Sequence, residues 1–328
     1  MRAVFMIIAL ILAICPAISA QDTKESLVFV TYNVENFFHP EDDPERNDDD
    51  FTAKGDYMWT MDRAIRKAEK ISRVINYITE NKQAPAVIGF CEIEGLKALD
   101  LLMTYGRLSK LGYRVVGLEH EDKRGIATMM IYRPDMLTLI DSALVDCDVP
   151  EKRFNTRTIL HCTFTHGNDT INVMENHWPS KLGGEAKSAW RRQHVANVAK
   201  SYCDSILAKS PNANIIIMGD LNENAQSEEI AEILGATEEG PILYNLSGKD
   251  PQHRKSYKYR ESWNTIDHII VSKHINDIAA PEFEVVNPAF LLEQDYFNNS
   301  YKPYRTYVGR KYNDGFSDHL PVMMTIKL

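Results

Sequence analysis

An α/β sandwich with mixed sheets is the fold class the sequence predicts, and three observations predict it. Nine short apolar or alternating runs read as strands, and three longer segments repeat apolar residues at helical spacing. The two kinds alternate irregularly, not in strict strand-helix units, which favours layered mixed sheets over a Rossmann fold or a β/α barrel.

Residues 1–20 stand apart from this pattern. Arg2 is followed by the apolar run AVFMIIALILAI (3–14) and then by the small-residue stretch Pro16-Ala17-Ile18-Ser19-Ala20. This is the form of a secretory signal peptide, too short to span a bilayer, with cleavage expected near Ala20. A lipid anchor on Cys15 fits less well, because Ile14 precedes it where such signals have a small residue. The expectation is an exported protein, periplasmic or extracellular, with no stable membrane insertion.

Residues 21–328 read as one domain, with no internal repeat and no Gly/Ser-rich or Pro-rich linker. Strands are predicted over Leu27–Val34, Ala86–Glu92, Tyr113–Gly117, Ala127–Tyr132, Thr158–Thr165, Ile171–Glu175, Ile215–Gly219, Ile266–Val271 and Val322–Lys327. The first helix, Met61–Asn81, aligns Ile65, Ala68, Ile71, Val74, Ile75 and Ile78 on one face. Two more are expected over Leu96–Leu108 and Glu185–Lys209. The acidic run EDDPERNDDD (41–50) reads as a solvated loop; it lacks the ordered ligand spacing of a calcium loop. Residues Phe290–Gly315, rich in Tyr, Asn, Lys and Arg, read as a long surface loop.

The 328 residues are 44% hydrophobic and 25% charged, enough for a large core, and the formal net charge is −9. That charge argues against tight electrostatic binding of nucleic acid, though not against nucleic acid as a transient substrate. Beyond the leader there are four cysteines, Cys91, Cys147, Cys162 and Cys203, in no zinc or redox spacing. Cys147 with Cys162 is the one pairing to test in an oxidising compartment.

Five strand ends carry the chemistry: TYNVEN (31–36), GFCEIEG (89–95), MENHWPS (174–180), IIIMGDLNEN (215–224) and GFSDHLPV (315–322). Asp220 and Asn222, two apart, project from one face at the end of an apolar run. Glu92 ends another such run and is the best single candidate for a magnesium ligand, with Asn33 and Glu35 to complete its shell. His177 follows Asn176, His319 follows Asp318, and Asp267 in WNTIDHIIV (263–271) is a candidate carboxylate partner for an imidazole. Read singly, Asn33 is a turn residue, Glu35 a solvated acid, Asp267 a strand-entry acid and His268 a surface residue. There is no serine elbow, phosphate-binding glycine loop or zinc-type Cys/His cluster.

Taken together and in this order, the motifs resemble the endonuclease/exonuclease/phosphatase superfamily of metal-dependent phosphoesterases. The resemblance covers nearly the whole chain after the leader. It implies a four-layer α/β/β/α sandwich of two packed, mostly antiparallel mixed sheets. It also implies a magnesium ion, with manganese or calcium as alternatives, on Asn33, Glu35, Glu92 and Asp318. By the same resemblance His177, Asp220, Asn222, Asp267 and His319 are catalytic, and His319 and Asp220 compete for the activation of water. Arg157 in FNTRTIL (154–160) resembles a phosphate-facing arginine, and Tyr304 and Arg305 are candidate substrate contacts. One departure stands out: the glutamate that supports the first histidine in deoxyribonucleases would fall on Ile126, six residues before Tyr132. His177 is therefore expected to bind phosphate by hydrogen bonding and not to act as a proton donor.

The expectation is a phosphodiesterase or nuclease-type hydrolase of phosphate esters. Phosphatase action on small metabolites, sphingomyelinase-like action on phospholipid, and a non-catalytic binding module on the same fold are the alternatives. No exposed apolar hairpin is evident in the sequence to favour the phospholipid. The sequence leaves the oligomeric state open.

Overall fold

The computed structural model describes residues 25–118, 122–249 and 255–328, so the leader expected over residues 1–20 lies outside the described residues. Two sheets pack face to face. The six-stranded sheet runs in the order Glu282–Val285, Val322–Lys327, Ser26–Phe37, Val87–Ile93, Ala127–Tyr132, Arg114–Val115. The seven-stranded sheet runs Thr138–Val145, Ile159–His166, Asp169–His177, Asn214–Asp220, Asp267–Ser272, Leu243–Asn245, Ala236–Thr237. Pairing is antiparallel except between Ser26–Phe37 and Val87–Ile93, between Asp169–His177 and Asn214–Asp220, and in the short outer pair Leu243–Asn245 and Ala236–Thr237.

The two central parallel pairs explain the long helices. A parallel pair cannot be closed by a hairpin and needs a crossover. The helix α1, Met61–Asn81, makes the first crossover. Thr60 caps its start by accepting from the Arg63 amide, and Ala64, Ala68, Ile71, Val74, Ile75 and Ile78 are buried. Helix α2, Gly95–Tyr105, packs beside it. Helix α3, Glu185–Lys209, makes the second crossover and buries Val195, Ala196, Ala199 and Cys203 against the other sheet. The order helix, sheet, sheet, helix is the expected four-layer sandwich. Because both faces of each sheet are covered, the central strands are apolar nearly throughout.

Five departures from the sequence reading stand out. Tyr113–Gly117 pairs only over Arg114–Val115. Thr138–Val145, half exposed and of mixed polarity, is an edge strand that carries no clear apolar run. The segment read as a loop over Phe290–Gly315 contains two hairpins, Leu292–Asp295 with Ser300–Pro303 and Tyr307–Val308 with Lys311–Tyr312. Their strands are too short and too polar to show as alternation. His268 is not a surface residue: its ring is fully buried, with Nε2 2.8 Å from the Glu223 carbonyl. The four cysteines are all free and buried. Cys162 faces the core between the sheets and Cys147 the core under α3, so the sheet separates the one pairing proposed for test.

Candidate active site

The four parallel strands of the two crossover units point their carboxyl ends at one cleft, where Asn33, Glu92, His177 and Asp220 emerge. Open α/β sheets bind ligands at such strand ends. The cleft has two walls, one from each sheet.

On the seven-stranded side the ladder is regular. His177 lies beside Asp220 in the parallel pairing, and Asp267 lies opposite Asp220 in the antiparallel one. Gly219 is required just before Asp220: its φ is +132°, and a Cβ there would meet the Asn176 carbonyl oxygen at 1.9 Å. Asp267 Oδ2 holds His319 Nδ1 at 2.8 Å. Asp220 Oδ2 sits between the two imidazoles, 3.8 Å from His177 Nε2 and 3.8 Å from His319 Nε2. Ser317 Oγ donates to the Asn33 carbonyl and accepts from the His319 amide, which fixes the last loop against the first strand. The Tyr257 ring lies over His319, with centroids 4.7 Å apart.

On the six-stranded side the strand ends are irregular. The pairing of Ser26–Phe37 with Val87–Ile93 shifts register after Asn33, and Glu35, Asn36 and Glu92 have φ of 53°, 49° and 63°. Left-handed backbone at non-glycine residues is strained and clusters at functional sites. The turn at Glu35 and Asn36 removes Glu35 from the face that simple alternation assigns to it. Both Glu35 oxygens are taken by backbone: Oε2 accepts from the Thr306 amide at 2.6 Å and Oε1 from the Tyr307 amide at 3.3 Å. Asn33 also differs from a plain ligand. Its Nδ2 bridges the walls, donating to Asp220 Oδ2 at 3.0 Å and Glu92 Oε1 at 3.2 Å, while its Oδ1 accepts from the Glu35 amide. Asp318 pairs with Arg305 at 2.5 Å. Glu92 remains. Its oxygens meet the amides of Asn33 and Asn36, and it pairs with no lysine or arginine among the described residues.

The electrostatics follow from crowding. Burial, with Asp318 nearby, raises Glu35 from 4.5 to about 7, against the opposing pull of Lys67, the Thr306 amide and Arg305. Burial raises Asp220 to about 7; His319 opposes this and Asp267 adds to it. For His319 burial works against the charged form, but the Asp267 and Asp220 carboxylates outweigh it and hold the imidazole well above its usual pKa. His177 goes the other way: burial, and then Arg157, push it well below the usual value. Its Nδ1 is buried and has no partner among the described residues, as the missing supporting glutamate predicts. One imidazole is thus charged and the other neutral.

Arg157 does not face the cleft as a phosphate clamp. Its Nε donates to the His177 carbonyl, one terminal nitrogen to Asp122 at 2.9 Å and the other to the Trp178 carbonyl, so it fixes the end of the His177 strand from behind. Asn222 has φ 53°; its Nδ2 gives one hydrogen to the Trp178 carbonyl and keeps a second. Tyr304 packs its ring on Phe316. The sequence reading missed Asp122 and Lys67. Only Lys67 leaves a trace there, as a lysine on the apolar stripe of α1.

Glu92, an uncompensated carboxylate among hard oxygen and amide groups, fits a divalent cation. A second constellation, Asp220, Asp267 and His319, brings three ligand atoms within 4.8 Å of one another. The hydrogen bond already made between Asp267 and a charged His319 makes that trio a proton-holding group and a poor cation site.

Paired carboxylates, a carboxylate-held imidazole and a cation-ready glutamate in one cleft define a site for phosphate-ester chemistry. A family profile, Endonuclease/Exonuclease/phosphatase family, matches residues 28–328, and the chain belongs to that family. Its members are hydrolases of phosphate esters. No curated protein matches the chain in sequence. Among solved structures the fold is similar to truncated TDP2 from Caenorhabditis elegans, with TM-score 0.60 and 12% identity, covering 94% of this chain and all of that one. It is similar to D. rerio TDP2 complexed with single strand DNA product, with TM-score 0.54 and 14% identity, over 92% of this chain and 99% of that one. It is also similar to a mannosyl-6-phosphatase from Bacteroides thetaiotaomicron, with TM-score 0.55 and 16% identity, over 92% and 100%. At these identities the likeness is one of fold.

Proposed function

We propose that the chain is an exported, magnesium-dependent phosphodiesterase of the nuclease type. The observation that supports this most is the convergence of Glu92, Asp220, His177, Asn222 and the Asp267–His319 pair on one cleft from both sheets. Export rests on the leader-like residues 1–20. The ion on Glu92 would supply charge neutralisation at a phosphoryl oxygen. The rest is the work of the chain's own groups. Asp220 Oδ2, held by Asn33 and lying between both imidazoles, orients the attacking water and takes its proton, while the charged His319 beside it steadies the carboxylate. Asp267 keeps His319 in one orientation and favours its charged form. Asn222 Nδ2 and the neutral His177 donate hydrogen bonds to phosphoryl oxygens as charge develops there.

An extended substrate is favoured by the aromatic edge of the cleft. Tyr257 stacks on His319, and the neighbouring hairpins expose Tyr259, Tyr296, Phe297 and Tyr301. Lys258 ties these hairpins together through Asp295 and Ser300. Such rings suit stacking on bases or sugars. The exposed Tyr296-Phe297 tip also supplies the apolar hairpin that the sequence did not suggest, so phospholipid stays in the test. Hydrolysis of a small phosphorylated sugar is the second reading, prompted by the phosphatase among the similar folds. A panel of single-stranded DNA, plasmid DNA, RNA, sphingomyelin and sugar phosphates, with magnesium and with chelator, separates them. Chelator-sensitive cleavage of a nucleic acid diester is expected. Turnover of sugar phosphates alone would replace the diesterase reading, and no turnover with magnesium, manganese or calcium would leave a binding module.

A further inference from the structure

Lys67 is the unexplained residue of the site. It sits on the buried face of α1, 1% exposed, where every neighbour on the stripe is small or apolar. A lysine is almost never buried without a purpose for its charge. Its Nζ donates to Thr306 Oγ1 and to the Phe316 carbonyl; burial lowers its pKa from 10.5 to about 8, and the nearby Glu35, Asp318 and Glu92 carboxylates oppose that fall and favour the charged form. Thr306 is also the residue whose amide Glu35 accepts. The Lys67 and Glu35 side chains therefore grip one segment from two sides, the lysine at the Thr306 hydroxyl and the glutamate at the Thr306 amide. Arg305 completes the arrangement, ion-paired to Asp318 and with Nε 4.0 Å from Glu35. Of the three acids on this wall, Glu35 and Asp318 lie within ion-pair distance of Arg305, and Glu92, which accepts from the Asn33 and Asn36 amides, is the one with no lysine or arginine partner among the described residues.

We propose that Lys67 is the resident cation of this wall: with Arg305 and the Thr306 and Tyr307 amides it occupies Glu35, so that the site takes a single divalent ion, on Glu92. Glu35 is then the clamp of the 304–307 segment and not a metal ligand. A second ion at Glu35 would have to displace two backbone donors and share the space with a buried ammonium group, which opposes it electrostatically.

The inference rests on Glu92 as the ion's ligand, and its test reads binding, not turnover. Manganese bound to the protein is counted by paramagnetic resonance, and melting temperature is followed in parallel. One manganese per wild-type chain is expected; two would overturn the proposal with no variant needed. Glu35→Gln should leave the manganese dissociation constant within about threefold while lowering the melting temperature, because orphaned buried amides destabilise. A loss above about tenfold at unchanged melting temperature would make Glu35 a ligand. Lys67→Met should bind manganese more tightly, or admit a second ion, since a like charge is removed, and Lys67→Arg should restore wild-type binding. Equal or weaker binding by folded Lys67→Met would contradict the role given to the lysine. If Glu92→Gln failed to weaken binding, the placement of the ion would fall together with this inference. Two ions in an active enzyme would remove only the inference.

Discussion

The two walls of the cleft were built by different rules. On the seven-stranded side, Asp220, His177 and Asp267 stand in direct register on three neighbouring strands. Their proximity follows from the ladder. On the six-stranded side the ladder breaks after Asn33, three residues take left-handed backbone, and the side chains no longer follow alternation. Strand-end spacing is therefore a reliable guide to chemistry only where pairing runs regularly to the last residue. In the proposed function the regular wall handles protons and the irregular one holds the ion.

Changing the regular wall should have the largest effect on turnover. Asp220→Asn keeps the shape of the side chain but removes the carboxylate between the imidazoles, and a loss of about 10³-fold or more in kcat is expected. The melting temperature of the metal-free protein at neutral pH should hold or rise, since burial disfavours the charged carboxylate there. Wild-type turnover by the folded variant would sink the contrast between the walls. Behind this wall, Arg157→Ala strips the buried Asp122 of one partner, and a stability loss of roughly 3 kcal/mol in urea unfolding is expected. Arg124 still pairs with Asp122, at 3.1 Å, which limits the loss. If Arg157 contacted phosphate instead, the variant would lose affinity for substrate with little change in stability.

Glu175 joins the walls below the cleft. It is fully buried, accepts from Thr31 Oγ1 at 2.6 Å and contacts Cys91 Sγ at 3.4 Å, both on the other sheet. A Cβ on Gly89 would fall 1.8 Å from its Oε2, so Gly89→Ala should destabilise by about 1–3 kcal/mol, and Glu175→Ala should relieve part of that. Burial raises Glu175 from 4.5 to about 8 despite these hydrogen bonds. The folded chain then keeps a proton that the unfolded chain loses between those values, and stability falls as pH rises through that window. Glu175→Gln should flatten the fall by up to about 1.4 kcal/mol per pH unit. Urea midpoints at pH 5.5 and 7.5 measure it, and an unchanged slope would show that Glu175 is ionised.

What was legible in the sequence divides along the same line. The helices Met61–Asn81 and Glu185–Lys209 and the strand Val322–Lys327 have the bounds expected from their patterns, because a covered face leaves apolar residues at a fixed period. The Asp220, Asp267 and His319 grouping was legible because it needs only strand ends. Glu35 was placed by alternation and went elsewhere, since two consecutive left-handed residues leave no mark in composition. Arg157 was recognised as a site residue, but its partners at 177 and 178 are backbone carbonyls, which residue type does not reveal. Lys67 was hidden in a helix whose stripe otherwise reads as ordinary core.

The central claim is that one ion on the irregular wall and one proton-handling group on the regular wall act on the same phosphate. A crystal structure with manganese and phosphate tests it most directly. The ion is predicted against Glu92, with phosphate oxygens between it and His319, Asn222 and His177. An ion seated among Asp220, Asp267 and His319, with Glu92 empty, would contradict the account.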